Sequence, residues 1–203
     1  TYIDTELKYS IIQDKRDQSF KPTEGYRASF NQKLPLYSES PSLINGIDYS
    51  AYHSFSDNFI GSLRFHGRAI NSLSSSEDVK LSERLSIPGR YLRGFEVGKI
   101  GPVDASDYVG GNYVTALGFN AALPKLLPNF TNADISLFLD TGNVWGVDYD
   151  TNIDESNKLR SAFGVSVDWF TPIGPLNFSF SEAITSASTD KPESFRFNIG
   201  TTF

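Results

Sequence analysis

The chain has 203 residues, a formal net charge of −6, no cysteine and no methionine. The missing cysteines exclude disulfides, thiolate metal sites and a cysteine nucleophile, and the acidic balance without a basic, aromatic-interleaved run argues against a nucleic-acid binder. No run of about 18 consecutive apolar residues occurs, which excludes a membrane helix but not a membrane β-barrel, whose strands meet lipid only at every second residue.

Thr1 to Ile12 is predicted to be a strand, with Ile3, Leu7, Tyr9 and Ile11 on one face. Asp14-Lys15-Arg16-Asp17, Phe20, Pro22 and Gly25 read as a surface turn, since Pro and Gly end one strand and restart the next. Tyr26 to Leu36 alternates again, with Tyr26, Ala28 and Phe30 against Arg27, Ser29 and Asn31. A Ser/Pro/Asn/Gly loop over 37–46 leads to a third strand, Ile47 to Phe55. After the tight turn Ser56-Asp57-Asn58, Phe59 to Ile70 sets Leu63, Phe65, Gly67 and Ala69 against Ser62, Arg64, His66 and Arg68. A face bearing two Arg and one His cannot lie in lipid.

Residues 71–111 then form a long connection with no strand or helix period. Compact domains seldom keep such a loop without a task for it. Four further strands are expected at Tyr113 to Ala122, Ala133 to Asp140, Leu159 to Trp169 and Leu176 to Glu182, and a last one at Phe195 to Phe203. The segments between them alternate: a Pro-containing turn at 123–132, an Asp-rich loop at 141–158, a tight turn at 171–175 and a loop at 184–194.

The total is roughly nine strands of about 8–12 residues, close to the span of a tilted strand in a bilayer. The 16 Phe and 10 Tyr suit a barrel with aromatic girdles, and also a β-sandwich. Alternating short and long connections favour the barrel, because membrane barrels keep short turns on one side and long loops on the other.

Within the long loop three motifs follow one another: Arg93-Gly94-Phe95, Ile100-Gly101-Pro102 and Gly110-Gly111. Downstream stand Asp140-Thr141-Gly142-Asn143-Val144-Trp145, then Arg160-Ser161-Ala162-Phe163-Gly164, then Pro172-Ile173-Gly174-Pro175-Leu176. The chain closes on Phe195-Arg196-Phe197-Asn198-Ile199-Gly200-Thr201-Thr202-Phe203. Each piece alone is weak. In this order they resemble the BamA-like outer-membrane assembly proteins of the bacterial surface antigen superfamily, over nearly the whole chain.

That resemblance implies an all-β fold: the C-terminal part of an antiparallel transmembrane β-barrel, holding about nine of roughly sixteen strands, with loop 71–111 folded inward. The absence of an initiator Met fits a piece of a longer protein, with POTRA domains expected upstream. The implied function is folding and insertion of β-barrel proteins into the bacterial outer membrane through a strand-edge seam. Implied partners are outer-membrane lipid, unfolded outer-membrane protein clients and accessory lipoproteins bound through the POTRA domains, with no nucleic acid. A sister translocation or secretion barrel, an outer-membrane barrel enzyme and a passive pore stand as alternatives.

The resemblance also implies a loop anchor. Arg93 would be held inside the barrel by acidic residues, and Asp140 is one partner that alternation supports independently. If Leu137 and Leu139 face lipid, Asp140 faces the lumen. Gly94 would let the backbone approach closely and Phe95 would pack on the lumen wall. Where the family often carries a second acid, this chain has Asn120, which can accept a hydrogen bond from Arg93 but brings no charge, so the anchor would be weaker or be satisfied by Asp104, Asp107 or Asp168. Outside the resemblance, Arg93 reads as a solvated loop residue and Asp140 as a strand-end turn residue. Phe195, Phe197, Ile199 and Phe203 would form a lipid-facing stripe and an aromatic C-terminal signal, with Gly200 weakening the edge. No catalytic group, metal site or cofactor is expected: His53 and His66 lack ligand spacing, and Asp148, Asp150, Asp154 and Glu155 read as a solvated outer loop rather than a calcium loop.

Overall fold

The computed structural model describes residues 4–124, 126, 132–153, 157–172 and 174–199. In chain order the strands are β1 (Thr5–Asp14), β2 (Gly25–Tyr37), β3 (Ser42–Ser56) and β4 (Phe59–Ser72). The long loop carries a single 3-10 turn (Leu81–Glu83) and a two-residue hairpin, β5 (Val103–Asp104) with β6 (Asp107–Tyr108). Then come β7 (Tyr113–Leu123), β8 (Ala133–Trp145), β9 (Arg160–Thr171), β10 (Gly174–Thr185) and β11 (Phe195–Ile199).

Apart from the small hairpin, the strands make one nine-stranded antiparallel sheet in the order β1-β2-β3-β4-β7-β8-β9-β10-β11. Each strand pairs with its neighbours in sequence, and β1 and β11 end the sheet. Strand lengths from β1 to β10, the hairpin aside, are 10–15 residues, enough to cross a bilayer at a tilt. The turn after β3 is only Asp57-Asn58, whereas the loops after β4, β8 and β10 cover 73–112, 146–159 and 186–194. The two longest loops, 73–112 and 146–159, therefore lie at the same end of the sheet.

The two faces differ in a way no water-soluble sandwich permits. On the outside Phe163, Val165, Phe180 and Phe197 are 52%, 38%, 55% and 46% exposed. On the inside Ser136, Asp140, Ser166, Asn177 and Ser179 are buried. Parity along the strands produces this, because successive side chains leave opposite faces. On β8, Leu137 and Leu139 are exposed while Phe138 and Asp140 are buried. The apolar core lies between the long loop and the inner face: Ile87, Leu92, Phe95 and Ile100 of the loop pack on Val114, Ala116, Val144 and Ala162.

Several boundaries differ from the sequence reading. β8 runs to Trp145 instead of ending at Asp140, because β7 continues to pair with it from Gly118↔Asp140 out to Tyr113↔Trp145. β3 starts at Ser42 rather than Ile47, since Ser42 to Asn45 still pair with β4. β4 likewise takes Asn71 and Ser72 from the stretch read as loop.

Candidate functional site

The loop turns into the concave face and closes on itself at its neck. Leu85 N–H donates to Gly111 O at 2.8 Å and Gly111 N–H donates back to Leu85 O at 2.9 Å. A Cβ on Gly111 would stand 2.4 Å from Trp145 O, so the neck can lie against β8 only without a side chain there. From the neck, Ile100 joins the apolar cluster, Gly101 passes over Val144, and Pro102 is fully buried.

The tip is held to three parts of the wall. On β8, Arg93 Nε and Nη2 donate to Asp140 Oδ2 and Oδ1 at 2.7 and 2.8 Å, and the Arg93 N–H donates to Oδ2 at 3.0 Å. The two side chains are 8% and 0% exposed. A bidentate pair out of water is both strong and geometrically exacting. On β3 and β4, Tyr91 stacks on His66 at 4.3 Å, and its hydroxyl donates to Asp48 Oδ1 at 3.2 Å. Asp48 also accepts from Arg68 Nη2 at 2.6 Å and lies 2.7 Å from His66 Nδ1. On the β11 side, Phe95 forms an isolated antiparallel bridge with Pro192.

Gly94 sits at φ +89°, a conformation costly for any other residue, and a Cβ there would lie 2.5 Å from Ala162 Cβ. The glycine thus permits both the turn and the contact with β9. Phe95 beyond it is 2% exposed.

Asn120 lines the same cavity as Arg93 and Arg64. Among the described residues it makes no hydrogen bond to the Arg93 guanidinium, and it pairs in register with Phe138. The ring of Phe138 takes the place, 3.5 Å from the Arg93 guanidinium carbon. A cation over a ring face is attracted by the ring quadrupole, more so when desolvated. Gly164 on β9 leaves room for that ring, since its Cβ would meet Phe138 Cζ at 2.6 Å. Asp104 is engaged by the Tyr149 hydroxyl, Asp168 by Asn177 Nδ2 at 2.8 Å, and Asp107 lies exposed in the β5–β6 hairpin. A Cβ on Gly118 would stand 2.9 Å from Asp140 Oδ1 and 3.8 Å from Arg64 Nη2, so a second arginine borders the same carboxylate.

Phe195, Phe197 and Ile199 are exposed on the outer face, with Phe195 and Phe197 against Phe180 and Phe178 at 5.0 and 5.1 Å. Gly200 and Phe203 lie outside the described residues.

Among the ion pairs that residue order does not announce, two fix the outer loops. Arg160 Nε and Nη2 donate to Asp190 Oδ2 and Oδ1, each at 2.9 Å, with both side chains at 0% exposure. The other holds Asp148, which lies exposed in the outer loop as expected but is tied down there. Asp148 accepts from Arg84 Nη2, from Val79 N–H at 3.1 Å and from Asn112 Nδ2 at 3.0 Å, tying the outer loop to both arms of the long one. Burial works against its ionisation, but the Val79 N–H, Arg84 and Asn112 outweigh it and hold the carboxyl below its ordinary value. A depressed folded value means stability that is present above the unfolded value of about 3.9 and lost as pH falls through the folded one. Acidification below about pH 4 is therefore expected to speed hydrogen exchange at 79–85, and Asp148→Asn to flatten that pH dependence.

An antiparallel sheet that is apolar outside, polar inside and covered on its inner face by its own pinned loop is the wall of a transmembrane β-barrel. The Omp85 superfamily domain matches residues 1–203, and the chain belongs to that family. It is 27% identical to "Outer membrane protein assembly factor BamA" of Neorickettsia risticii, a match covering 100% of this chain and 28% of that protein. It is 26% identical to the protein of the same name from Neisseria meningitidis serogroup B, covering 94% and 28%. The crystal structure of BamA from Haemophilus ducreyi lacking POTRA domains 1–3 superposes with a TM-score of 0.85 at 25% identity, covering 95% of this chain and 41% of that one. The chain thus spans under a third of the curated relatives' length, and its sheet belongs in a bacterial outer membrane.

Proposed function

We propose that the protein carrying this chain folds and inserts other β-barrels into the outer membrane. The carrying observation is the loop tip pinned by Arg93 to Asp140 inside the sheet of an Omp85 chain whose relatives are named assembly factors. A loop pinned across the inner face disfavours a passive pore. In this reading the end of the sheet offers backbone N–H and C=O groups on which an incoming strand can pair. No covalent bond is made or broken. Lipid meets the apolar face, unfolded outer-membrane proteins are the clients, and accessory lipoproteins act through upstream POTRA domains.

Assembly of a client barrel by the full-length protein in vesicles tests this. Arg93→Ala is expected to slow assembly by about tenfold, which needs only ~1.4 kcal/mol of lost stabilisation in the working state. The amount of folded barrel, read by protease protection, is expected to fall far less. Wild-type assembly rates in the variant would remove the anchor from the mechanism.

A further inference from the structure

Arg196 stands on β11 and grips the loop tip at both ends. Its Nη1 donates to Gly89 O at 2.8 Å, its Nη2 to Phe95 O, and its Nε to Glu193 Oε2 at 2.7 Å. The two loop carbonyls bracket Arg93 in sequence. The guanidinium is largely out of solvent, with the side chain 10% exposed. A Cβ on Gly89 would lie 2.7 Å from Arg196 Nη1, so the glycine leaves the guanidinium its place.

The connection leading into β11 adds a short ladder to the same tip. Glu96 N–H donates to Lys191 O at 2.9 Å, Lys191 N–H to Lys99 O at 3.1 Å, and Glu193 N–H to Gly94 O at 2.9 Å. β11 ends the described sheet and has β10 as its strand neighbour there. Contacts outside the strand ladder add to the free energy at which a strand opens, and β11 makes such contacts with the loop tip through Arg196.

The geometry points to Arg196 as a positioning residue that couples the loop tip to the terminal strand. When the tip leaves Asp140, β11 loosens from β10; when β11 moves, the tip loosens in turn. Such coupling is reciprocal by thermodynamic necessity. It deepens the strand-edge reading, on which its consequence for client assembly rests: the loop would set how readily the edge becomes available.

Amide hydrogen exchange on the full-length protein in lipid nanodiscs tests the coupling. Arg196→Ala is expected to raise exchange at 89–99 about tenfold, the order that loss of one charge-assisted hydrogen bond produces. Arg93→Ala, which touches no β11 residue, is expected to raise exchange at 195–199 by a comparable factor. Gly89→Ala, which crowds the guanidinium from the loop side, is expected to reproduce the β11 effect with every strand residue intact. Arg196→Lys, with one point charge for two carbonyls, should restore part of the protection. Exchange in β8 and β9 serves as the folding control. Unchanged β11 exchange in folded Arg93→Ala overturns the coupling, whatever happens to assembly. Raised β11 exchange with unchanged client assembly keeps the coupling and sinks the strand-edge reading.

Discussion

Asp140→Ala is expected to destabilise the barrel by about 3–5 kcal/mol and to cost more than Arg93→Ala. The asymmetry follows from what each truncation leaves behind. Without Asp140, the Arg93 guanidinium stays buried over the Phe138 ring with no carboxylate, the Arg93 N–H loses its acceptor, and Arg64 borders the same emptied space. Two positive groups would then share a site whose next carboxylate, Asp168, is already bonded to Asn177. Without the Arg93 side chain, Asp140 keeps the backbone N–H of residue 93 and Arg64 nearby. Urea unfolding of the full-length protein in micelles gives the two costs, and a double-mutant cycle gives their coupling. An apolar double variant, Arg93→Met with Asp140→Leu, should recover much of the stability, because it leaves no unpaired buried charge. It should not recover assembly, because it removes the fixed geometry of the tip. Equal costs for the two single variants would show that Arg64 contributes nothing at this carboxylate.

Much of this arrangement is legible in residue order. The period-2 alternation put Leu137 and Leu139 outside and Asp140 inside, which the exposures of β8 match. It also turned Arg64, His66 and Arg68 away from lipid, and their neighbours in the fold are Asp48 and the loop. Alternation is a local property, however, and it stops at which face a side chain leaves. It does not say which loop residue waits on that face. Phe138 was on the inner face by parity alone, yet nothing in the order of residues joined it to Arg93, 45 positions earlier, or to the space left by Gly164.

The end of β8 was misjudged for a related reason. Asp140-Thr141-Gly142-Asn143 has turn composition, but Gly142 is there so that β7 and the loop can approach: its Cβ would meet Thr115 O at 2.9 Å and Ile87 Cδ1 at 2.8 Å. A glycine that serves close packing and one that serves a turn look alike in sequence. Asn120 makes the complementary point. The expected acid is replaced by Asn120, and a ring face packs on the arginine instead, while Asp168 lines the same cavity from β9.

Arg160→Ala or Asp190→Ala is expected to cost a similar 3–5 kcal/mol, at a pair that sequence offered no reason to join. Both side chains are at 0% exposure, and each is tied further: Arg160 Nη1 donates to Asn143 Oδ1 at 2.6 Å and Lys158 O at 2.8 Å, and Asp190 Oδ2 accepts from Ala187 N–H at 2.5 Å. The pair fixes the 186–194 connection to the start of β9. That connection carries Lys191, Pro192 and Glu193, which meet the loop tip. Losing the pair should therefore act at a distance. Hydrogen exchange should rise first at 187–193, then at 94–99, while β2 and β3 stay protected. Asp190→Ala leaves Arg160 with two neutral acceptors, so it is expected to be the milder of the two. Arg160→Ala strands a buried carboxylate with one backbone N–H. Equal protection of 94–99 in both variants and wild type would mean that the connection holds its shape, and keeps its contacts with the loop tip, without the pair.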